Sequence, residues 1–139
     1  MEIGGEVDSA GFRGGNKPIT KKMRGVLENL GIKKKLIESH RSKEVTVDLI
    51  RRSTVIFCMT PNHSRKLYSK YRSECKSLSQ KIVVLPLFIG QMRIADPMFS
   101  SDIKSYISCV ENIQNSILFI KNRLESNGIR RKIDIREWL

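Results

Sequence analysis

No apolar run in this chain of 139 residues approaches the roughly 18 residues that a membrane-spanning helix needs. The first residues, Met1-Glu2-Ile3-Gly4-Gly5-Glu6, have neither the basic start nor the apolar stretch of a secretory signal, and the cytoplasm is the expected compartment. Cysteine is scarce. Three widely spaced residues, an odd number, argue against both a disulfide scaffold and a zinc ribbon. Aromatics make up only 6% and are not interleaved with the basic residues, which weakens any reading as a platform for single-stranded nucleic acid. Acidic residues are also few, 14 against 26 Lys and Arg, leaving a net charge of +12. A charge of that size attracts polyanions, although basic runs such as Lys33-Lys34-Lys35 and Arg130-Arg131-Lys132 are most often solvated surface. No repeat or low-complexity tract is visible.

What is present is an ordinary globular apolar fraction of 40%, enough at this length for one domain with a real core. Glu6 to Ser9 read as a short strand end, followed by a glycine-rich loop from Gly11 to Gly15. Pro18 is expected to open a helix, with Ile19, Met23, Val26, Leu27 and Leu30 at helical spacing and Gly31 closing it. Lys33 to Lys43 read as a basic loop. Thr46 is expected to cap a short helix over Val47 to Ile50. Thr54 to Met59 and Ile82 to Leu85 are continuous apolar runs, the pattern of parallel strands covered on both faces. Between them Pro61 starts a helix carrying Leu67, Tyr68 and Tyr71. A long last helix carries the stripe Ile103, Tyr106, Ile107, Val110, Ile113, Ile117, Ile120 and Leu124. Strands alternating with helices predict an α/β fold with a parallel sheet. Residues 1–126 are expected to form the domain and 127–139 a basic tail, whose Ile133, Ile135, Trp138 and Leu139 suggest docking at its end.

The chemistry centres on Ala95-Asp96-Pro97-Met98-Phe99-Ser100, between a buried strand and the last helix. A carboxyl group there can protonate a leaving oxygen or nitrogen as a bond to phosphorus breaks. Pro97 stiffens the backbone beside it. An Asp-Pro pair by itself is more often a plain turn. With Asp8-Ser9-Ala10-Gly11, His40-Arg41-Ser42-Lys43 and Met59-Thr60 upstream, in that order, the chain resembles the low-molecular-weight protein tyrosine phosphatases, over roughly residues 6 to 124. Met59-Thr60-x-x-His63 is closer to the protein-arginine phosphatase branch. The resemblance implies a three-layer α/β/α fold of the phosphotyrosine protein phosphatase I type and hydrolysis of phosphorylated protein side chains without metal or other cofactor. It implies Asp96 as general acid, Ser9 and His40 as groups that shape the phosphate loop from behind, and Met98 and Phe99 as residues of the substrate cleft.

The nucleophile of that family, a cysteine in a Cys-x5-Arg phosphate loop, does not occur. Six positions after Cys58, Cys75 and Cys109 stand Ser64, Lys81 and Asn115. Cys58 has Arg65 one residue too far and Pro61, without an N–H, in between. Cys58 and Cys109 read as apolar packing thiols, and Cys75, in a polar stretch, as exposed. Only eight residues precede Ser9, short of the roughly 30 that a further strand, phosphate loop and helix need. The expectation is a fold without its first strand and phosphate loop, inactive as it stands. Two origins remain open: a start codon lying further upstream, or a protein that has shed catalysis. Such a chain would meet phosphoprotein or another acidic partner, or pair with itself through an exposed sheet edge. Nucleic acid is the least favoured partner.

Overall fold

The computed structural model of the chain describes residues 6–126. The expected basic tail lies outside them. Two compact units are present, Met1–Leu49 and Ile50–Leu139.

In the first unit, the residues expected to end a strand, Glu6 to Ser9, are irregular and exposed. Local polar bonds compete with strand pairing there: the Ser9 N–H donates to Asp8 Oδ1 at 2.8 Å, and Asp8 pairs with Lys43. Pairing starts at Gly11, in an isolated parallel bridge with Glu44. The Gly11 N–H donates to the Lys43 carbonyl and the Val45 N–H to the Gly11 carbonyl, each at 2.9 Å. Gly14 is where this seam is tightest. A Cβ there would lie 2.3 Å from the Glu44 nitrogen, a backbone atom with nowhere to go.

Helix α1, Lys21–Asn29, starts three residues later than Pro18 suggested, because Thr20 takes the cap: its Oγ1 accepts the Met23 N–H. It ends as expected. Gly31 adopts φ +79°, and the Gly31 and Ile32 N–H groups donate back to the Glu28 and Leu27 carbonyls, a Schellman closure. The segment read as a basic loop contains helix α2, Lys34–Ser39. Its lysines point to water while Ile37, 1% exposed, is buried. One well-placed isoleucine outweighs the charge of its neighbours. Helix α3, Val47–Arg52, whose last three residues are counted in the second unit, has its expected cap, Thr46 Oγ1 accepting the Leu49 N–H at 3.2 Å.

In the second unit, β1 (Ile56–Cys58) and β2 (Ile82–Val84) run parallel, with Phe57 opposite Val83. Parallel strands need a crossover, supplied by α4, Pro61–Tyr71, and α5, Leu78–Lys81. Pro61 occupies the first turn of α4, as the sequence predicts, and Thr60 caps it. The two-faced burial expected of the strands is only half met: Cys58 and Val83 are buried, but Phe57 is 37% exposed, leaning edge-on against Phe88 at 6.5 Å. The core gathers Val83, Leu85, Phe88, Ile94 and Ile120, flanked by Met59, Cys109 and Ile113.

The long helix α6, Ile103–Ser126, packs mainly on the tight turn Leu85–Ile89. Its buried line is Tyr106, Val110, Ser116 and Ile120. Ile103, Ile107 and Ile117, counted in the expected stripe, face outward; Ile117 is 53% exposed. The stripe read from sequence was wider than the surface α6 leans on. Ser116, fully buried, is compatible with that line because its Oγ donates to the Asn112 carbonyl at 2.8 Å. Cys75, expected at the surface, is buried. The turn after α4 folds it inward, its N–H donating to the Tyr71 carbonyl and its Sγ lying 3.7 Å from Ser77 Oγ.

Candidate active site

The loop that carries Asp96 is held at both ends. Upstream, buried Ile94 donates its N–H to the carbonyl of Met59, just past β1, at 2.8 Å. Downstream, Pro97 is buried and opens a single 3-10 turn, Pro97–Phe99. Asp96 caps that turn: its Oδ1 accepts the Met98 N–H at 2.9 Å. One carboxylate oxygen is thus spent on the backbone, which orients the other. The Ser100 N–H closes the turn onto the Pro97 carbonyl at 2.9 Å, and α6 follows.

Beside Asp96 opens a cleft of about 460 Å³. Arg93 lines it from the loop, and Lys104, Ser105, Cys109 and Asn112 from one side of α6. Two cations and one carboxylate therefore share a small hollow rich in hydrogen-bonding groups. Such a set can hold an anion and hand a proton to it. Sequence reasoning missed Arg93 and Lys104. The available signal was their spacing: Arg93 is three residues before Asp96, and Lys104 lies in the first turn of the helix that the Asp-Pro loop feeds.

Met98 and Phe99 sit on the 3-10 turn and are 57% and 88% exposed, but the lining of the cleft passes through Pro97 and Ser100 rather than through them. Asp96, Met98 and Phe99 are thus brought to one turn of the second unit. Ser9 and His40 belong to the first. Both are exposed; His40 ends α2, donating its N–H to the Leu36 carbonyl at 3.2 Å. Among the described residues no group of three or more His, Cys, Asp or Glu side chains is placed to hold a metal ion.

Two of the thiols, Cys58 and Cys109, have the wrong character for nucleophiles. Burial pushes Cys58, on β1, up to about 11. Cys109 is raised as well, first by burial and then by the negative charge of Asp96 across the cleft. A thiolate that attacks phosphorus needs the opposite shift.

The model of the low molecular weight phosphotyrosine protein phosphatases matches residues 1–129. This chain belongs to that family. Several solved structures share its fold. The Drosophila arginine phosphatase DARP has a TM-score of 0.75 at 23% identity, over 88% of this chain and 79% of that one. The YwlE arginine phosphatase from Geobacillus stearothermophilus has a TM-score of 0.73 at 24% identity, over 89% and 77%. The low molecular weight protein tyrosine phosphatase from T. tengcongensis has a TM-score of 0.70 at 24% identity, over 84% and 76%. No curated protein sequence matches significantly. The α/β fold with its parallel sheet, expected from the alternation of strands and helices, is that of this phosphatase family.

Proposed function

We propose that this phosphatase-family chain carries the proton-donating side of a site for phosphorylated protein side chains, with Asp96 as the acid, and that the polypeptide by itself binds such groups without turning them over. The observation that supports this reading is the cleft at Asp96, where Arg93 and Lys104 offer the charge a phosphoryl group needs and Asp96 offers the proton. No turnover is expected because none of the three cysteines stands in a Cys-x5-Arg frame, and burial raises Cys58 and Cys109 rather than activating them. Phosphotyrosine and phosphoarginine both fit the reading. Met59-Thr60-x-x-His63 and the likeness to arginine phosphatases favour the second.

The deciding experiment is hydrolysis of p-nitrophenyl phosphate by the purified chain without metal. The expected result is no release above buffer. Turnover that disappears on thiol alkylation would make one of Cys58, Cys75 or Cys109 a nucleophile and overturn the reading.

The charge of +12 supports a second reading, a non-catalytic basic protein that holds an acidic partner or nucleic acid. Under that reading the affinity for an oligonucleotide falls steeply with the logarithm of salt concentration. A slope near zero would remove nucleic acid from consideration.

A further inference from the structure

Helix α4 buries Leu67 and Tyr71. A different face carries Ser64, Arg65, Tyr68, Ser69 and Arg72, at i, i+1, i+4, i+5 and i+8, so that all five lie along one side. Together with Ser79 on α5 and Ile82 at the start of β2, that face lines a groove of about 410 Å³. None of its lining residues lines the cleft at Asp96.

The groove is cationic without compensation. Among the described residues its lining has two guanidinium groups and no carboxylate. Among the described residues neither Arg65 nor Arg72 makes an ion pair. Arg72 is nonetheless held: its guanidinium carbon sits 5.9 Å from the centre of the Tyr68 ring, a cation–π contact. Two like charges facing one hollow repel each other, and an anion between them removes the repulsion. The groove also offers three serine hydroxyl groups able to donate to anionic oxygens, and an apolar strip from the Tyr68 ring and Ile82.

We propose that this groove is a second phosphate-binding site, taking the phosphoryl group of a phosphorylated protein segment. Arg65 and Arg72 grip the phosphate oxygens, in the forked geometry that guanidinium groups share with phosphate. Ser64, Ser69 and Ser79 donate to the same oxygens, and Tyr68 with Ile82 receives the stem of the phosphorylated side chain. A peptide fits better than nucleic acid. One aromatic ring is too few for the successive stacking platforms that a single strand uses. The site stands independently of the role given to Asp96.

The test uses the whole chain labelled with ¹⁵N and follows its backbone amides by NMR. The probes are a short Gly-Ser peptide bearing one phosphotyrosine, its unphosphorylated twin, inorganic phosphate and a thymidine decanucleotide. The phosphopeptide is expected to move the amides of Ser64 to Arg72 and of Ser79, and the unphosphorylated peptide to leave them in place. The double substitution R65A/R72A is expected to weaken that binding at least tenfold. R65K/R72K, which keeps the charge but not the fork, should fall between the two. Shifts confined to Arg93 through Asn112 would overturn the proposal, as would full affinity in R65A/R72A. Inorganic phosphate binding as tightly as the phosphopeptide, or the decanucleotide binding more tightly, would overturn the assignment to a protein segment.

Discussion

Asp96 does two jobs at once, capping the turn Pro97–Phe99 and placing negative charge beside Cys109. Asp96→Asn separates them. Asparagine keeps an oxygen to accept the Met98 N–H, so the turn should survive. The charge disappears, and with it the part of the upward push on Cys109 that the carboxylate supplies. The alkylation profile of Cys109 against pH should therefore move toward lower pH in this variant, as read by mass spectrometry of the Cys109 peptide. An unmoved profile would mean that burial alone sets this thiol. Asp96 was legible as a candidate in the sequence because Asp-Pro between a strand and a helix is a local pattern. Arg93 and Lys104 were not, since nothing in their own neighbourhood marks them out from the other cations among the chain's 26 Lys and Arg. They matter only because the fold turns them into the same cleft.

At the scale of elements, caps were the readable part. Thr46 and Gly31 act where their chemistry predicts, because a cap is made by residues three or four apart. The end of α3 is closed differently. Lys81, 30 residues downstream, reaches back with its Nζ to the carbonyls of Ile50 and Arg51 at 3.3 and 3.1 Å. A cation on the last carbonyls of a helix satisfies orphan acceptors and meets the negative end of the helix dipole. Lys81→Met keeps the apolar stem and removes the donor. It should cost about 1.5–3 kcal/mol in urea denaturation, the worth of a charged hydrogen bond. A loss below about 0.3 kcal/mol would show that water replaces the ammonium without penalty. No local motif announces such a contact. Helix α2 was hidden for a related reason: its stability comes from the burial of Ile37, which a run of lysines and one glutamate does not reveal.

Over the whole molecule, the buried thiol of Cys58 makes stability depend on pH. Its folded value, about 11, stands above the ordinary value of 9.0. The folded state therefore holds this proton more tightly than the unfolded state. The contribution is complete below pH 9 and is lost as the pH rises from 9 through 11, by roughly 2–3 kcal/mol at about 1.4 kcal/mol per pH unit. Denaturation of the chain and of Cys58→Ala between pH 8 and pH 11 should show the parent falling more steeply. Parallel curves would refute the shift. The sequence by itself determined the family, the alternation of strands and helices, the caps at Thr46 and Gly31, the Asp-Pro loop and the want of a Cys-x5-Arg nucleophile, because each is written in residue types at fixed short spacings. Tertiary structure alone decided that Cys75 is buried, that Ile117 is exposed while Ser116 is not, that Phe57 leaves one face of its strand half open, and that Arg93 and Lys104 meet at Asp96. Burial and charge proximity are set by whichever distant segment packs alongside, and no pattern of neighbours along the chain encodes that partner.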